Sequence, residues 1–158
     1  LASVVIDLLC KKKETLAVAE SCTGGSLGAA ITSISGSSKA FLGGIIAYRN
    51  SIKHEFLGVP NELLKKHGAV SSQVVQAMAI GARNKLNSDW AIAVSGVAGP
   101  GSESNEKPAG LVHLAIAGKD FCETVEERFG THIGRIDVQK LSVISSLNRL
   151  RLILLARS

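Results

Sequence analysis

The sequence predicts an α/β fold. Short apolar runs of strand length alternate with segments whose apolar residues recur at helical spacing, and glycines break the chain where several runs end. The chain carries 16 glycines and only 4% aromatic residues, so the core is expected to consist of Ala, Val, Ile and Leu, with tight turns. A length of 158 residues suits one domain, residues 1–158, with enough chain to bury a sizeable core.

The elements follow in order. Leu1, Val4, Val5, Leu8 and Leu9 recur at helical spacing and predict an amphipathic first helix ending in Lys11–Lys13. Leu16–Ala19 reads as a buried strand that breaks at Glu20–Gly25 and resumes as a small-residue helix through about Ile34. That order, strand then glycine loop then helix N-terminus, aims backbone N–H groups at a place where an anion can sit. After the Gly36–Ser38 turn comes a strand over Phe41–Tyr48, then two short helical stretches, Ser51–Leu57 and Asn61–His67, around Pro60. Ser72–Leu86 predicts a stronger helix, capped by Ser71 or Ser72, with Val75, Met78, Ala79 and Ala82 on one face. Trp90–Ser95 is a third strand, and Gly96–Gly101 cannot continue it. Gly110–Ala117 and Phe121–Phe129 predict a hairpin turning at Gly118–Asp120. A long helix over about Gly134–Ala156 closes the chain, apolar at Val138, Leu141, Ile144, Leu147 and Leu150. Strands alternating with helices imply a mostly parallel sheet covered on both faces, with the late hairpin adding an antiparallel strand.

Composition and charge narrow the function classes. The formal charge of +5 is spread over Lys11–Lys13, Lys65–Lys66 and a scatter at Arg149, Arg151 and Arg157. Such scatter reads as solvated faces, and a positive field equally suits an anionic small molecule. With no recognition motif and few aromatics for stacking bases, nucleic acid is not expected as a partner. Cys10, Cys22 and Cys122 are odd in number and lack metal-ligand spacing, so they read as reduced thiols of a cytoplasmic protein. Leu1–Cys10 before the lysines is no lipoprotein signal, because the charge follows the apolar run and Asp7 interrupts it. No stretch predicts a membrane span. The chain opens on Leu1 rather than Met, which leaves room for a preceding segment or domain.

In open α/β sheets ligands bind beyond the carboxyl ends of the strands, and Glu20–Gly25, Tyr48–Lys53 and Ser95–Lys107 each follow a predicted strand. Their chemistry is hydroxyl, ammonium and glycine. They offer no paired acids or His/Cys cluster for a metal and no dinucleotide or Walker phosphate loop. The expectation is a hydroxyl nucleophile without metal or cofactor. Ser38, Tyr48 and Lys53, spaced across one strand, could bring hydroxyl, phenol and amine together. A lysine serves as base only when desolvation or nearby cations lower its pKa. Ser38 could equally be a turn hydroxyl, Lys53 an exposed helical lysine, and Ser21 a cap of the following helix. Glu20 is expected to brace the Gly24–Gly25 turn rather than act as a base. Cys22 reads as a packed thiol, His67 and His113 as structural, and Tyr48 and Trp90 as equally able to pack.

One combination is more specific than its parts. AESCTGG (Ala19–Gly25), GSS (Gly36–Ser38), YRNSIK (Tyr48–Lys53), LGV (Leu57–Val59), HGAVS (His67–Ser71), MAIGAR (Met78–Arg83), SGVAGP (Ser95–Pro100) and KPAG (Lys107–Gly110) appear in that order. The run resembles the C-terminal domain of the CinA (competence/damage-inducible) family, whose stand-alone members are nicotinamide-nucleotide amidohydrolases. The resemblance implies a three-layer α/β/α sandwich with a mixed sheet and metal-free deamidation of nicotinamide mononucleotide to nicotinate mononucleotide and ammonia. It implies Ser38 as nucleophile, with Ser21 the next candidate, Lys53 as base and Tyr48 orienting or relaying the proton. Ser21, Thr23, Gly24, Gly25, Ser95, Gly96 and Arg135 would then bind the pyridine nucleotide, and a homo-oligomer is expected. Two segments depart from the family's usual pattern: Ser102 and Ser104 stand where glycines are common, and Arg135 follows Gly130–Gly134 without the usual Gly-Asp. The alternative reading is a non-catalytic nucleotide- or protein-binding module linked to competence or DNA damage.

Overall fold

Alternation of side-chain size along the strands decides which helices each face of the sheet receives. The computed structural model describes residues 1–157. In chain order the elements are α1 (Ala2–Lys12), β1 (Leu16–Glu20), α2 (Ser26–Thr32), a 3-10 turn (Ser37–Lys39), β2 (Phe41–Ile46), α3 (Asn50–Leu57), α4 (Asn61–His67), α5 (Ser72–Leu86), β3 (Trp90–Gly96), β4 (Leu111–Gly118), β5 (Phe121–Arg128) and α6 (Arg135–Ala156). On one sheet face the large residues Leu16, Val18, Ile92, Val94, Leu114 and Ile116 meet α1, α2 and α6 through Leu9, Leu27, Ile31, Leu147 and Leu150. On the other face stand Ala17, Ala19, Ala91, Ala93, Ala115 and Ala117, against Val75, Met78 and Ala82 of α5 with Leu57 and Leu64 beside it. Small residues let α5 approach the sheet closely, which is why one helix suffices to cover much of that face. The result is a three-layer α/β/α arrangement.

The five strands run in the order β2-β1-β3-β4-β5. β1 pairs parallel with β2 and β3, whereas β3–β4 and β4–β5 are antiparallel. The sheet is mixed in equal parts, and the expectation of a mostly parallel sheet is corrected here. The reason lies in residues 97–110, which form no helix. A parallel return needs a crossover of a dozen or more residues, usually helical. This loop instead closes on itself, Val97 N–H donating to Leu111 O (2.8 Å) and Gly110 N–H to Val97 O (2.7 Å), so β4 comes straight back beside β3.

Two other expectations need adjusting. β2 ends at Ile46, leaving Tyr48 beyond the strand. The inward face of α6 is Val138, Ser142, Val143, Ser146, Leu147, Leu150, Ile153 and Leu154, while Ile144 points outward and is 54% exposed. Ser142 and Ser146 are tolerated inside because each hydroxyl donates to the carbonyl four residues earlier, at 2.7 Å. Ser71 caps α5 by accepting from Val74 N–H (3.3 Å).

The helix α3 reaches the sheet through α5, and a glycine makes this possible. A Cβ placed on Gly81 would overlap the Leu57 carbonyl oxygen. Gly81→Ala is therefore expected to push α3 away and lower stability by about 1–3 kcal/mol. Urea denaturation checks this, and an unchanged midpoint would show that the α3–α5 contact is loose.

Candidate active site

The side chain of Lys53, on α3, is turned inward and is only 1% exposed. Its Nζ donates to Ser21 Oγ (3.2 Å) and to the Tyr48 carbonyl (3.0 Å). Among the described residues no carboxylate stands within ion-pair distance of it. Removing an ammonium from water without a counter-charge is costly, so burial holds the Lys53 pKa below the usual lysine value. The nearby Cys22 thiol is pushed up to about 12, chiefly by burial, and so stays protonated at neutral pH. That removes Cys22 as a thiolate nucleophile.

Ser21 follows β1 directly and continues its pairing, its N–H donating to Val94 O (2.9 Å). Its hydroxyl is thereby fixed at the carboxyl end of the sheet, facing the amine. The preceding Glu20 is buried and points the other way. Its carboxylate accepts from Thr23 Oγ1 (2.5 Å) and from the N–H groups of Gly25 (3.0 Å), Leu27 (3.0 Å) and Gly28 (2.8 Å). The anion position expected at the start of α2 is thus filled by the chain's own carboxylate, where the helix dipole favours it. Two readings change in consequence. Thr23, Gly24 and Gly25 shape the turn around Glu20 and do not line the cleft, and α2 is capped at Gly25 rather than by Ser21.

Around the Ser21–Lys53 pair lies an open cleft of about 400 Å³, walled by Tyr48, Ala69–Val70, Ser95–Gly99, Gly101–Glu103 and Arg135. Ser95 donates to Ala69 O (2.8 Å) and so ties β3 to the α4–α5 connection. Lys107 holds the end of α4, just before that connection, through His67 O (2.8 Å). Gly96 is required by close approach, since a Cβ there would stand 2.8 Å from Leu111 O. Arg135, the first residue of α6, donates to Gly99 O (2.8 Å) and to the Tyr48 hydroxyl (3.1 Å). It has no carboxylate partner among the described residues, so its charge is free to meet an anion. Gln139 on α6 fixes the turn after Ser21 by donating to Cys22 O (2.9 Å).

Of the residues singled out from sequence, Lys53, Tyr48, Ser21, Ser95, Gly96 and Arg135 meet at this cleft. Ser38 does not. It is exposed on the turn before β2, at the opposite end of the strand from Tyr48 and Lys53, so within one chain the hydroxyl paired with the lysine is that of Ser21. Tyr48 contacts Lys53 through its carbonyl, while its phenol is turned to Arg135. Ala69 and Val70 were not anticipated as walls; the ordered HGAVS segment was their signal. His113 is buried in register with Ser95, its Nε2 3.7 Å from Glu126, and Trp90 packs edge-on against Phe121 with its N–H on Glu14 (2.8 Å). Among the described residues no three His, Cys, Asp or Glu side chains converge as metal ligands, and no helix is long and apolar enough to cross a membrane.

A family model described as the CinA C-terminal domain matches residues 1–154. The chain belongs to the CinA C-terminal domain family. It is 61% identical over 158 residues to a CinA-like protein of Parasynechococcus marenigrum (strain WH8102), covering 100% of this chain and 38% of that protein. A CinA-like protein of Prochlorococcus marinus (strain MIT 9313) is 56% identical over 155 residues, 98% of this chain and 36% of that one. The chain thus spans less than two-fifths of the curated relatives it matches. Among solved structures, the competence/damage inducible protein CihA from Agrobacterium tumefaciens superposes with a TM-score of 0.93 at 40% identity, covering 97% of this chain and 92% of that one. A CinA superfamily protein from Klebsiella pneumoniae 700603 gives 0.94 at 32% identity, covering 98% and 96%.

The buried amine of this CinA domain has a measurable signature. With its folded pKa below the unfolded one, the unfolded chain binds more protons between the two values, so stability rises with pH across that window. At lower pH the folded state bears the full cost of the buried ammonium. Lys53→Met is therefore expected to unfold at higher urea than wild type at pH 6, with the difference shrinking as pH climbs toward 10.5. Parallel curves at all pH values would show that Lys53 keeps an ordinary pKa.

Proposed function

We propose that this CinA domain hydrolyses the carboxamide of a pyridine nucleotide, converting nicotinamide mononucleotide to nicotinate mononucleotide and ammonia. The observation that carries the reading is a buried lysine with no counter-charge among the described residues, in hydrogen-bond contact with a fixed serine hydroxyl in a cleft that Arg135 also lines. A neutral amine in that setting is a competent base, and among the described residues no other side-chain base is hydrogen-bonded to Ser21.

The chemistry runs on this chain's own groups. Ser21 Oγ attacks the carboxamide carbon while its proton passes to Lys53 Nζ. The pyridinium ring withdraws electrons from that carbon and makes it more electrophilic. The backbone N–H groups of Ala98 and Gly99 border the cleft and donate to no acceptor among the described residues, so they are available to the oxyanion or the phosphate. The Lys53 ammonium returns its proton to the amide nitrogen as the C–N bond breaks, and ammonia leaves. Water then attacks the acyl-serine, giving its proton to Lys53; the carboxylic acid departs and Ser21 regains its hydrogen. Arg135 supplies the charge for the substrate phosphate.

Ammonia release from nicotinamide mononucleotide is the direct test. Ser21→Ala and Lys53→Met are each expected to lower kcat by about 10³-fold or more. Arg135→Met is expected to raise KM more than it lowers kcat. In wild type kcat/KM should climb with pH until Lys53 is deprotonated. No ammonia from wild type, or full turnover by Ser21→Ala, would overturn the reading.

A further inference from the structure

The connection between β3 and β4 is more firmly built than its lack of helix or strand suggests. Ser102 Oγ accepts from Ala109 N–H (2.9 Å), Ser104 Oγ accepts from Lys107 N–H (3.1 Å), and Glu103 N–H donates to Lys107 O (3.0 Å). Lys107 Nζ, bonded to His67 O, fastens this turn to the end of α4. Glu103 is thereby held on the cleft wall, and among the described residues it is the one carboxylate lining the cleft. Its ion-pair partner is Lys107, at 4.0 Å, and the Glu103 side chain is 49% exposed. A pair so long and so wet cancels little of the charge. Among the described residues neither Lys53 nor Arg135 forms an ion pair with it. The cleft thus presents two opposite charges from different elements, a carboxylate from the β3–β4 connection and a guanidinium from α6.

We propose that Glu103 determines specificity by charge: it favours an amide carried on a cationic ring and disfavours the product, in which that amide has become a carboxylate. Hydrolysis turns the carboxamide and one water into a carboxylate and an ammonium ion. The ligand left in the cleft therefore gains one negative charge, while its ring and its phosphate stay as they were. The phosphate, common to substrate and product, falls to Arg135. A pyridinium nitrogen has no hydrogen to donate, so a neutral acceptor gains no hydrogen bond from it, and a full negative charge is what attracts it. The same charge opposes the carboxylate that the reaction creates. Attraction before the reaction and repulsion after it both drive exchange of product for fresh substrate. The pinned backbone matters here, because a charge already fixed on the wall loses no freedom when the ligand arrives. The identity of the ligand rests on the amidase reading; Glu103 itself moves no proton.

Titration calorimetry on the full chain tests it, in a Ser21→Ala background that binds without turnover. Adding Glu103→Gln is expected to weaken nicotinamide mononucleotide by about threefold or more and to leave nicotinate mononucleotide unchanged or tighter, so the preference for substrate over product shrinks. The dihydropyridine form of the substrate, whose ring is neutral, is expected to bind equally with and without Glu103→Gln. The effect on the substrate should fade between about 10 mM and 1 M salt, as the screening length falls from about 30 Å to about 3 Å. Glu106→Gln makes the same charge change on the same loop but outside the cleft lining, and is expected to alter neither affinity. Equal weakening of substrate and product overturns the proposal, since it marks a contact to the ribose or phosphate that both carry. No change in either overturns it as well. Ammonia release from wild type separates the two readings. Turnover with an unshifted substrate-to-product ratio sinks the charge selection alone, whereas a shifted ratio without turnover sinks the amidase reading and leaves Glu103 selecting cationic rings.

Discussion

Holding an amine inside the protein without a carboxylate beside it is the constraint on which the rest of the site depends. A buried ammonium with a partner would be a salt bridge and chemically inert. With none, burial favours the neutral amine more than it would in an exposed lysine, and the fold must tolerate it. The tolerance comes from the two acceptors that receive Lys53 Nζ: a carbonyl from the segment entering α3 and a serine hydroxyl. Each arises from a neighbouring strand end, so the sheet fixes the geometry before any ligand arrives. The one carboxylate close by in sequence, Glu20, is kept from the amine by four hydrogen bonds around the start of α2. Without them a free glutamate adjacent to Ser21 could neutralise the lysine and silence it.

The walls of the cleft are assembled by the same economy. Ser95 ties the Ala69 carbonyl of the α4–α5 connection and Lys107 the last carbonyl of α4, so the loop is held from two sides. Arg135 bridges Gly99 and Tyr48 across the mouth. Among the described residues this guanidinium meets only neutral acceptors, so it loses little when an anion displaces one of them, and the bridge can open without stranding a buried charge.

Much of this fold was legible in the chain. The helix at Ser72–Leu86 was readable because Ser71 and the Val75–Met78–Ala79–Ala82 face agree on its start and orientation. The antiparallel return of β4 was not, because a run such as Leu111–Gly118, buried on both faces, carries no direction in its pattern. Ile144 misled for a related reason: at helical spacing it sits between two stripes, and Ser142 and Ser146 took the inner one by bonding to their own helix. For the site, residue types named most of the polar side chains that line the cleft, but spacing could not place them. Ser38 and Lys53 lie close in sequence, yet β2 runs between them, and a six-residue strand holds its two ends about 20 Å apart.

The alanine face of the sheet has a consequence for how such a domain can change over generations. On the side of α1, α2 and α6, large side chains can exchange volume with one another, and substitutions there can be absorbed by drift. On the side of α5 the middle of the sheet offers the methyl groups of Ala17, Ala19, Ala91, Ala93, Ala115 and Ala117, Gly81 leaves α3 no clearance, and the Lys53 amine hangs from α3. Any gain in bulk under α5 would be transmitted as a displacement of that amine. The domain therefore has one permissive half and one rigid half, and its chemistry is anchored to the half with no room to vary.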